Sequence, residues 1–502
     1  MVRTLARLPR LVGVAASPPL GPLSTIARTA TCSKTYFSSS SSSFTAPQNA
    51  HSSSLRGGAS SSGRTYRLYS TSSNTTPLTP HGPQKGDRVI IALSGGVDSS
   101  VTALLLAQAV HFDLEAVFMR NWNELDESGT MEPGSGGATG CTWQRDWHDV
   151  QAVCRHLGNL PVKMVDLSRE YWTQVFEPAL DDWRQGTTPN PDVSCNREIK
   201  FGALMDRLLP LCGENSGGRK SWLATGHYAH VAWSEQADGP ARPMLMRAKD
   251  RTKDQTYYLS SVVEDRLAHA HFPLSHLLKS QVRELAKKHS LPTAERRESM
   301  GICFVGTRGS DGSKGVSNTQ GFSTFLNGYI TSPPGEIVDE HGQVVSTHRG
   351  LHTLTVGQGA RICGATSKYY VAKKDIVNNR IVVVQGKQHP MLLCRRLYVK
   401  DIEWIWREPP PELKGDGVGE VSLLAQVRHR QVETECVVSR VEDGRNGYVV
   451  EFPEPVLAVA PGQVLGLWRG DWCLGSAVIQ SVDTVYDGQI RCQATVTSSL
   501  SV

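Results

Sequence analysis

The chain has 502 residues, a length that suits about three domains. At 39% hydrophobic and 20% charged residues it can bury a sizeable core, which excludes a fully disordered chain and a collagen-like fibre. The formal charge of +5 misleads: residues 1–86 hold nine Lys/Arg and no Asp or Glu, and the rest carries 44 basic against 48 acidic side chains.

A slightly acidic body does not by its charge announce nucleic-acid binding. No apolar run reaches the ~18 residues of a membrane-spanning helix, so no membrane partner is expected. The 11 cysteines form no C-x-x-C pair and no zinc array. Buried or free thiols in a reducing compartment are expected, and no metal ligand set.

In chain order, the acid-free start is Arg- and Ser-rich. Its opening, Met1-Val-Arg-Thr-Leu-Ala-Arg-Leu-Pro-Arg10, alternates basic and apolar residues as an amphipathic transit peptide does. This predicts import into the mitochondrial matrix. Order is expected from Asp87. Val89–Leu93 reads as a buried parallel strand, followed by a glycine-rich turn and a helix over Val101–Val110. Leu114–Met119 is the next strand, and residues 126–140 are a loop. A helix over Arg145–Leu157, a strand over Val162–Val165, a helix over Arg169–Arg184 and a strand ending at Thr225 follow. This alternation predicts an α/β domain built on a doubly wound parallel sheet. After about residue 295 the pattern shifts to short alternating strands: Ile381–Val384, Leu423–Val427, Cys436–Val438, Tyr448–Phe452 and Val464–Trp468. These predict small β-rich domains, with barrels the expected architecture. Residues 307–320 read as a low-complexity insertion.

Three stretches carry chemistry. Ser94-Gly-Gly-Val-Asp98-Ser99 lies between a strand and a helix. There the glycines let backbone N–H groups converge on an anion and the helix adds its positive end. Asp98 is placed to help hold Mg²⁺ against phosphates. A near-Walker sequence at 213–221 has Arg219 where lysine is required and reads as a polar loop. In Thr188-Pro-Asn-Pro-Asp192-Val-Ser-Cys195, composition alone favours a packed cysteine, but the thiol sits near the start of a helix, where its pKa is expected to be lowered, with Arg197 and Lys200 adding positive potential. Asp192 is a candidate general acid/base. The third stretch, Glu298-Ser-Met-Gly-Ile-Cys303-Phe-Val-Gly306, reads on its own as a core cysteine between glycines. Trp404 and Trp406 are read as strand packing in preference to base stacking.

The first stretch resembles the PP-loop of ATP pyrophosphatases, the adenine nucleotide alpha hydrolase-like fold, which cleave ATP between its α- and β-phosphates. Together the three resemble the tRNA 2-thiouridylase family, in a mitochondrial member, over about residues 87–485. The resemblance implies that ATP is held by Ala92, Leu93, Ser94, Gly95, Gly96, Val97, Asp98, Ser99, Met119 and Gly226. It implies tRNA contacts at Asn190, Pro191 and Asp192 (the loop that meets the target base), at His227, at Lys253, Asp254 and Gln255, and at Arg428, His429 and Gln463. Cys195 matches the family's nucleophile and Cys303 its persulfide carrier. One departure is Thr355-Val-Gly-Gln-Gly-Ala-Arg361, where the family's usual basic pair is displaced.

The resemblance implies the following organisation: a transit peptide and linker over 1–86, and a PP-loop catalytic domain over 87–294. A central β-rich domain with Cys303 spans 295–395, and a C-terminal tRNA-binding β-barrel spans 396–502. The implied activity is an ATP- and Mg²⁺-dependent tRNA-uridine 2-sulfurtransferase that adenylates O2 of a wobble uridine. It passes sulfur through Cys303 and Cys195, with Asp192 as acid/base. A persulfide donor protein and a cellular reductant for a Cys195–Cys303 disulfide are its implied partners. The alternatives are another adenylating PP-loop ligase and a non-enzymatic tRNA-binding protein.

Overall fold

The structure is a computed structural model that describes residues 81–109, 111–122, 143–209, 219–234, 239–297, 322–323, 325–414, 419–441 and 447–489. The targeting segment, the 126–140 loop, most of the near-Walker loop, the 307–320 insertion and the Glu298–Gly306 stretch with Cys303 lie outside them. All described residues belong to one compact unit, Thr65–Val502.

The first sheet is five-stranded and wholly parallel, in the order β3-β2-β1-β4-β7. Its strands are β1 (Arg88–Leu93), β2 (Asp113–Arg120), β3 (Val162–Asp166), β4 (Ser221–Thr225) and β7 (Ala270–His271). β1 is central, and Val89, Ile90 and Ile91 are fully buried. Burial on both faces explains why β1 is a continuous apolar run and does not alternate. The helices Val97–Gln108 and Trp143–His156 cover the sheet near the expected positions. The chain steps outward from β1 to β2 and β3, then returns to the other side of β1 as β4. The order therefore reverses at β1, and ligands in such sheets bind at the carboxyl ends beside that reversal.

The second sheet has the order β10-β11-β12-β8-β9. Its strands are β8 (Gly335–Val338), β9 (Val344–His348), β10 (Gly359–Ala360), β11 (Tyr369–Asp375) and β12 (Arg380–Gln385). It closes over its own core of Ile337, Val371, Ile381 and Val383.

The third sheet is a barrel. β13 (Leu393–Val399), β17 (Tyr448–Leu457), β16 (Thr434–Arg440), β15 (Glu420–Gln426), β18 (Val464–Arg469) and β19 (Trp472–Thr484) follow one another, and β19 pairs back onto β13. Closure removes the free edges that such short strands would expose. Leu397, Leu423, Val438, Val450 and Leu465 fill the interior. Two strands join this sheet from far upstream. β5 (Ala229–Ser234) pairs with β6 (Arg242–Arg247), and β6 pairs with β19. They lie within the span read from the sequence as the catalytic domain, so that span shares hydrogen bonds with the barrel. Trp404 is 7% exposed in the barrel core, and Trp406 donates to the Pro243 carbonyl at 2.7 Å, so both tryptophans pack.

Candidate active site at the carboxyl edge of the parallel sheet

Three strand ends meet on one edge. In register, Leu93 lies opposite Phe118 and Ala92 opposite Thr225. The segments that follow, Ser94–Ser99, Asn121–Trp122 and Gly226–His227, therefore leave the sheet side by side.

Gly95 takes φ +74°, a conformation glycine adopts at little cost, and Gly96 is the extended N-cap of the Val97–Gln108 helix. No side chain caps that helix, so its first turn keeps N–H groups for an anion. The Ser99 hydroxyl accepts from the Ser94 N–H at 3.2 Å and donates to the Gly96 carbonyl at 3.1 Å, which fixes the turn. Gly226 presses on the same turn: a Cβ there would stand 2.8 Å from the Ser99 nitrogen. Leu93 and Val97, at the strand end and helix start that bracket the loop, are buried, and Ala92 is half-buried. Met119 is 6% exposed and lies in the core beneath the site.

Two cations flank the loop that the sequence did not single out. Lys279 begins the Lys279–Lys288 helix, and its ammonium donates to both Asp98 oxygens at 2.7 Å. The Tyr228 hydroxyl donates to the same carboxylate at 3.0 Å. Arg296 donates to the Gly95 carbonyl at 2.8 Å and pairs with Asp146 and Asp149. The uncapped helix end fits a polyphosphate, and Lys279 and Arg296, each paired here with carboxylates, lie beside it. It is a poorer fit for a resident metal: Asp98 is already paired, and the described residues hold no cluster of three or more His, Cys, Asp or Glu suited to a metal ion.

Asn190 caps the helical run that carries the thiol, its Oδ1 accepting from the Val193 N–H at 3.4 Å. The run comprises Pro191–Ser194, a π-helical segment Cys195–Ala203 and Leu204–Leu208. Cys195 is fully buried, and here the structure corrects the expected thiolate. Burial pushes its pKa up to about 12; the nearby charge of Lys200 and a hydrogen bond from Asn121 oppose the rise, and Asp192 adds to it. Arg197 gives no help, because it pairs with Glu198 and Glu403. Cys195 nonetheless lies at the site edge, since the Asn121 Nδ2 donates to its Sγ at 3.8 Å. Asp192 is half-buried one helical turn before the thiol.

His227 ties this helix to the end of β4. Its Nδ1 is 2.7 Å from the Thr225 hydroxyl and its Nε2 is 3.4 Å from the Lys200 ammonium. Burial, then the charge of Lys200, holds its pKa well below the usual histidine value. The ring is neutral, accepts from Lys200 at Nε2 and donates from Nδ1 to Thr225.

The other expected tRNA residues divide. Asn190, Lys253, Arg428, His429 and Gln463 gather where the parallel-sheet segment meets the barrel. Gln463 bonds to Asn190, His429 stacks on Tyr258 at 4.4 Å, and the charge of Lys253 acts on His429. Arg428 is exposed beside them, donating to the Leu457 carbonyl. Asp254 and Gln255 face inward instead. Asp254 is 9% exposed and accepts from Ala248 N, Thr256 N, the Thr256 hydroxyl and Arg247. Gln255 accepts from the Tyr228 N–H at 3.0 Å. Their side chains hold the segment in place.

Comparison with known proteins agrees with this layout. The family described as "tRNA methyl transferase HUP domain" matches residues 87–307, the "tRNA methyl transferase PRC-barrel domain" 323–385 and the "Aminomethyltransferase beta-barrel domain" 394–479. The tRNA-specific 2-thiouridylase MnmA of Chromohalobacter salexigens is 39% identical over 415 residues, 82% of this chain and 96% of that protein. The protein of the same name from Alkaliphilus oremlandii is 38% identical over 402 residues, 79% of this chain and 98% of that one. The chain belongs to the tRNA-specific 2-thiouridylase family. Among solved structures, the U34-tRNA thiolase NcsA of Methanococcus maripaludis is 17% identical and covers 42% of this chain and 58% of its own, with a TM-score of 0.24, too low to carry an argument. Membership in the 2-thiouridylase family makes tRNA the substrate class and sulfur transfer the type of activity.

Proposed function

We propose that this 2-thiouridylase replaces O2 of a wobble uridine in mitochondrial tRNAs with sulfur, at the expense of ATP. The carrying observation is that the phosphate loop, Cys195 and His227 share one sheet edge, joined through Gly226, Asn121 and Lys200. A loop that holds ATP beside a thiol suits a reaction in which the base is first activated and then attacked by sulfur. Methyl transfer, the wording of two of the family descriptions, has no use for that pairing.

The uncapped helix turn, Lys279 and Arg296 hold the ATP phosphates, with Mg²⁺ arriving as the nucleotide's counter-ion. Uridine O2 attacks the α-phosphorus and pyrophosphate leaves. The resulting AMP ester makes O2 a good leaving group, which a carbonyl oxygen is not. An upstream donor protein loads Cys303 with a persulfide. In one route the terminal persulfide sulfur attacks C2, AMP departs, and the Cys195 thiolate then cleaves the S–S bond to leave the 2-thiouridine. In the other, Cys195 first releases hydrosulfide from the persulfide, and hydrosulfide attacks C2. Both routes close a Cys195–Cys303 disulfide, and a cellular dithiol must reduce it before the next turnover. Asp192 takes the Cys195 proton.

Import into the matrix rests on the acid-free residues 1–86. Mass spectrometry of nucleosides from mitochondrial tRNA, with and without the gene, tests the whole reading. Loss of 2-thiouridine derivatives with the gene supports it; an unchanged nucleoside profile overturns it.

A further inference from the structure

Asn121 is the residue at the site that the reading above leaves without a task. It directly follows β2 at the carboxyl edge and is 1% exposed. Its Nδ2 donates to the Cys195 sulfur at 3.8 Å. Its Oδ1 is buried and accepts no hydrogen bond. Buried acceptors are nearly always paired, and one left unpaired beside a reactive group needs an explanation. Met119 and Val193, in the same buried cluster as Cys195, carry no side-chain donor.

We propose that Asn121 is a specificity-determining residue: its Oδ1 accepts the N3–H of the target uridine while its Nδ2 holds the Cys195 sulfur. The inference rests on the reading of Cys195 as a nucleophile of thiolation. In both sulfur routes Cys195 works on a sulfur that is on C2 or about to reach it. C2 is bonded to N3, and near-attack geometry brings reacting atoms to about 3–3.5 Å. N3 carries its proton when uridine docks and again in the 2-thiouridine product, and gives it up to the departing pyrophosphate as O2 is adenylated. At docking, an acceptor for N3–H must lie within a few ångströms of the Cys195 sulfur, and one side-chain amide spans that gap. The amide N–H also stabilises the developing thiolate against burial. Cytidine carries a lone pair at N3. Against Oδ1 it would set acceptor on acceptor and leave both unpaired, so the same atom that welcomes uridine rejects cytidine. Both amide atoms are shielded in the free chain, so the base enters by parting the side chains that cover them.

The test compares tRNA transcripts that differ only at the wobble position, uridine against cytidine, using the full-length chain with ATP. The readouts are dissociation constants and kcat/KM for pyrophosphate release. The wild type should favour uridine. Asn121→Leu keeps the size and removes the acceptor, and the uridine-to-cytidine ratio should fall by about 10- to 100-fold. Asn121→Ala carries the same expectation if the leucine variant melts early. Asn121→Asp keeps an acceptor and should retain the preference, while its charge beside Cys195 moves the pH dependence of sulfur transfer upward. Variants whose uridine-to-cytidine ratio is unchanged would show that Asn121 only supports Cys195, and would overturn the proposal. A wild type that releases no pyrophosphate on either transcript would instead overturn the functional reading beneath it.

Discussion

Asn190 and Gln463 are 273 residues apart in sequence, yet the Asn190 Nδ2 donates to the Gln463 Oε1 at 3.4 Å. Gln463 also donates to the Thr188 and Pro189 carbonyls, at 3.0 and 3.4 Å, and the Thr188 N–H reaches the Pro461 carbonyl at 2.9 Å. The barrel thus grips the loop that leads into Cys195. A ligand held at this junction would bear directly on the position of that thiol.

Gln463→Ala should therefore loosen the loop as well as weaken tRNA binding. About 1–2 kcal/mol of stability should be lost, the usual net worth of one or two such hydrogen bonds. Steady-state kinetics should show kcat falling together with a rise in KM for tRNA. A change in KM alone would mean that the contact serves binding and does not position the loop.

Gly226→Ala tests the packing behind the phosphate loop. A Cβ would lie 2.8 Å from the Ser99 nitrogen and 3.0 Å from the Asp98 carbonyl carbon, and neither backbone atom can yield without moving the helix start. ATP affinity, read by calorimetry, should fall at least ~10-fold, a cost of about 1.4 kcal/mol. Lys279→Ala should also weaken ATP, through lost charge, and should leave the loop in place. Unchanged affinity in Gly226→Ala would remove ATP from this edge.

Cys195 is buried, with its pKa pushed up to about 12, whereas Cys363 is exposed. At pH 8 iodoacetamide should label Cys363 within minutes and leave Cys195 intact, because the thiolate is the reactive form. Adding tRNA and ATP should make Cys195 accessible. Peptide mapping checks this; rapid labelling of Cys195 in the free protein would contradict the closed site.

Acid should destabilise the fold. Burial holds His230 and His271 at about 4 and His227 well below the usual histidine value, and the charge of Lys200 adds to the shift at His227. In the unfolded chain these rings take up protons near pH 6.5. Their contribution is therefore complete above pH 6.5 and is lost as pH falls toward 4. Melting temperatures should drop between pH 7 and pH 5, and His230→Gln should lessen the drop. A flat profile would contradict it.

The parallel sheet was legible because fully buried strands write themselves as unbroken apolar runs, as in Val89-Ile-Ile-Ala-Leu93. The first helix begins at Val97, earlier than the expected Val101, because Gly96 already serves as its extended N-cap. β5 and β6 were missed: they pair with each other as a local hairpin, but β6 joins the barrel through β19, more than two hundred residues downstream, and nothing local marks that second pairing. Lys279 and Arg296 were invisible for the same reason, since only the tertiary fold brings them to Asp98 and Gly95. Cys195 shows the sharper limit. Helix position and basic neighbours can be read from sequence, but the burial that outweighs them cannot.

The central claim is that ATP activation and Cys195-dependent sulfur transfer occur in sequence on one edge of the sheet. The direct measurement follows pyrophosphate and 2-thiouridine together in a reaction of tRNA transcript, ATP and a persulfide donor. Cys195→Ser should still release pyrophosphate on adding tRNA but form no 2-thiouridine, and Asp98→Ala should do neither. Formation of 2-thiouridine by Cys195→Ser at the wild-type rate would contradict the account.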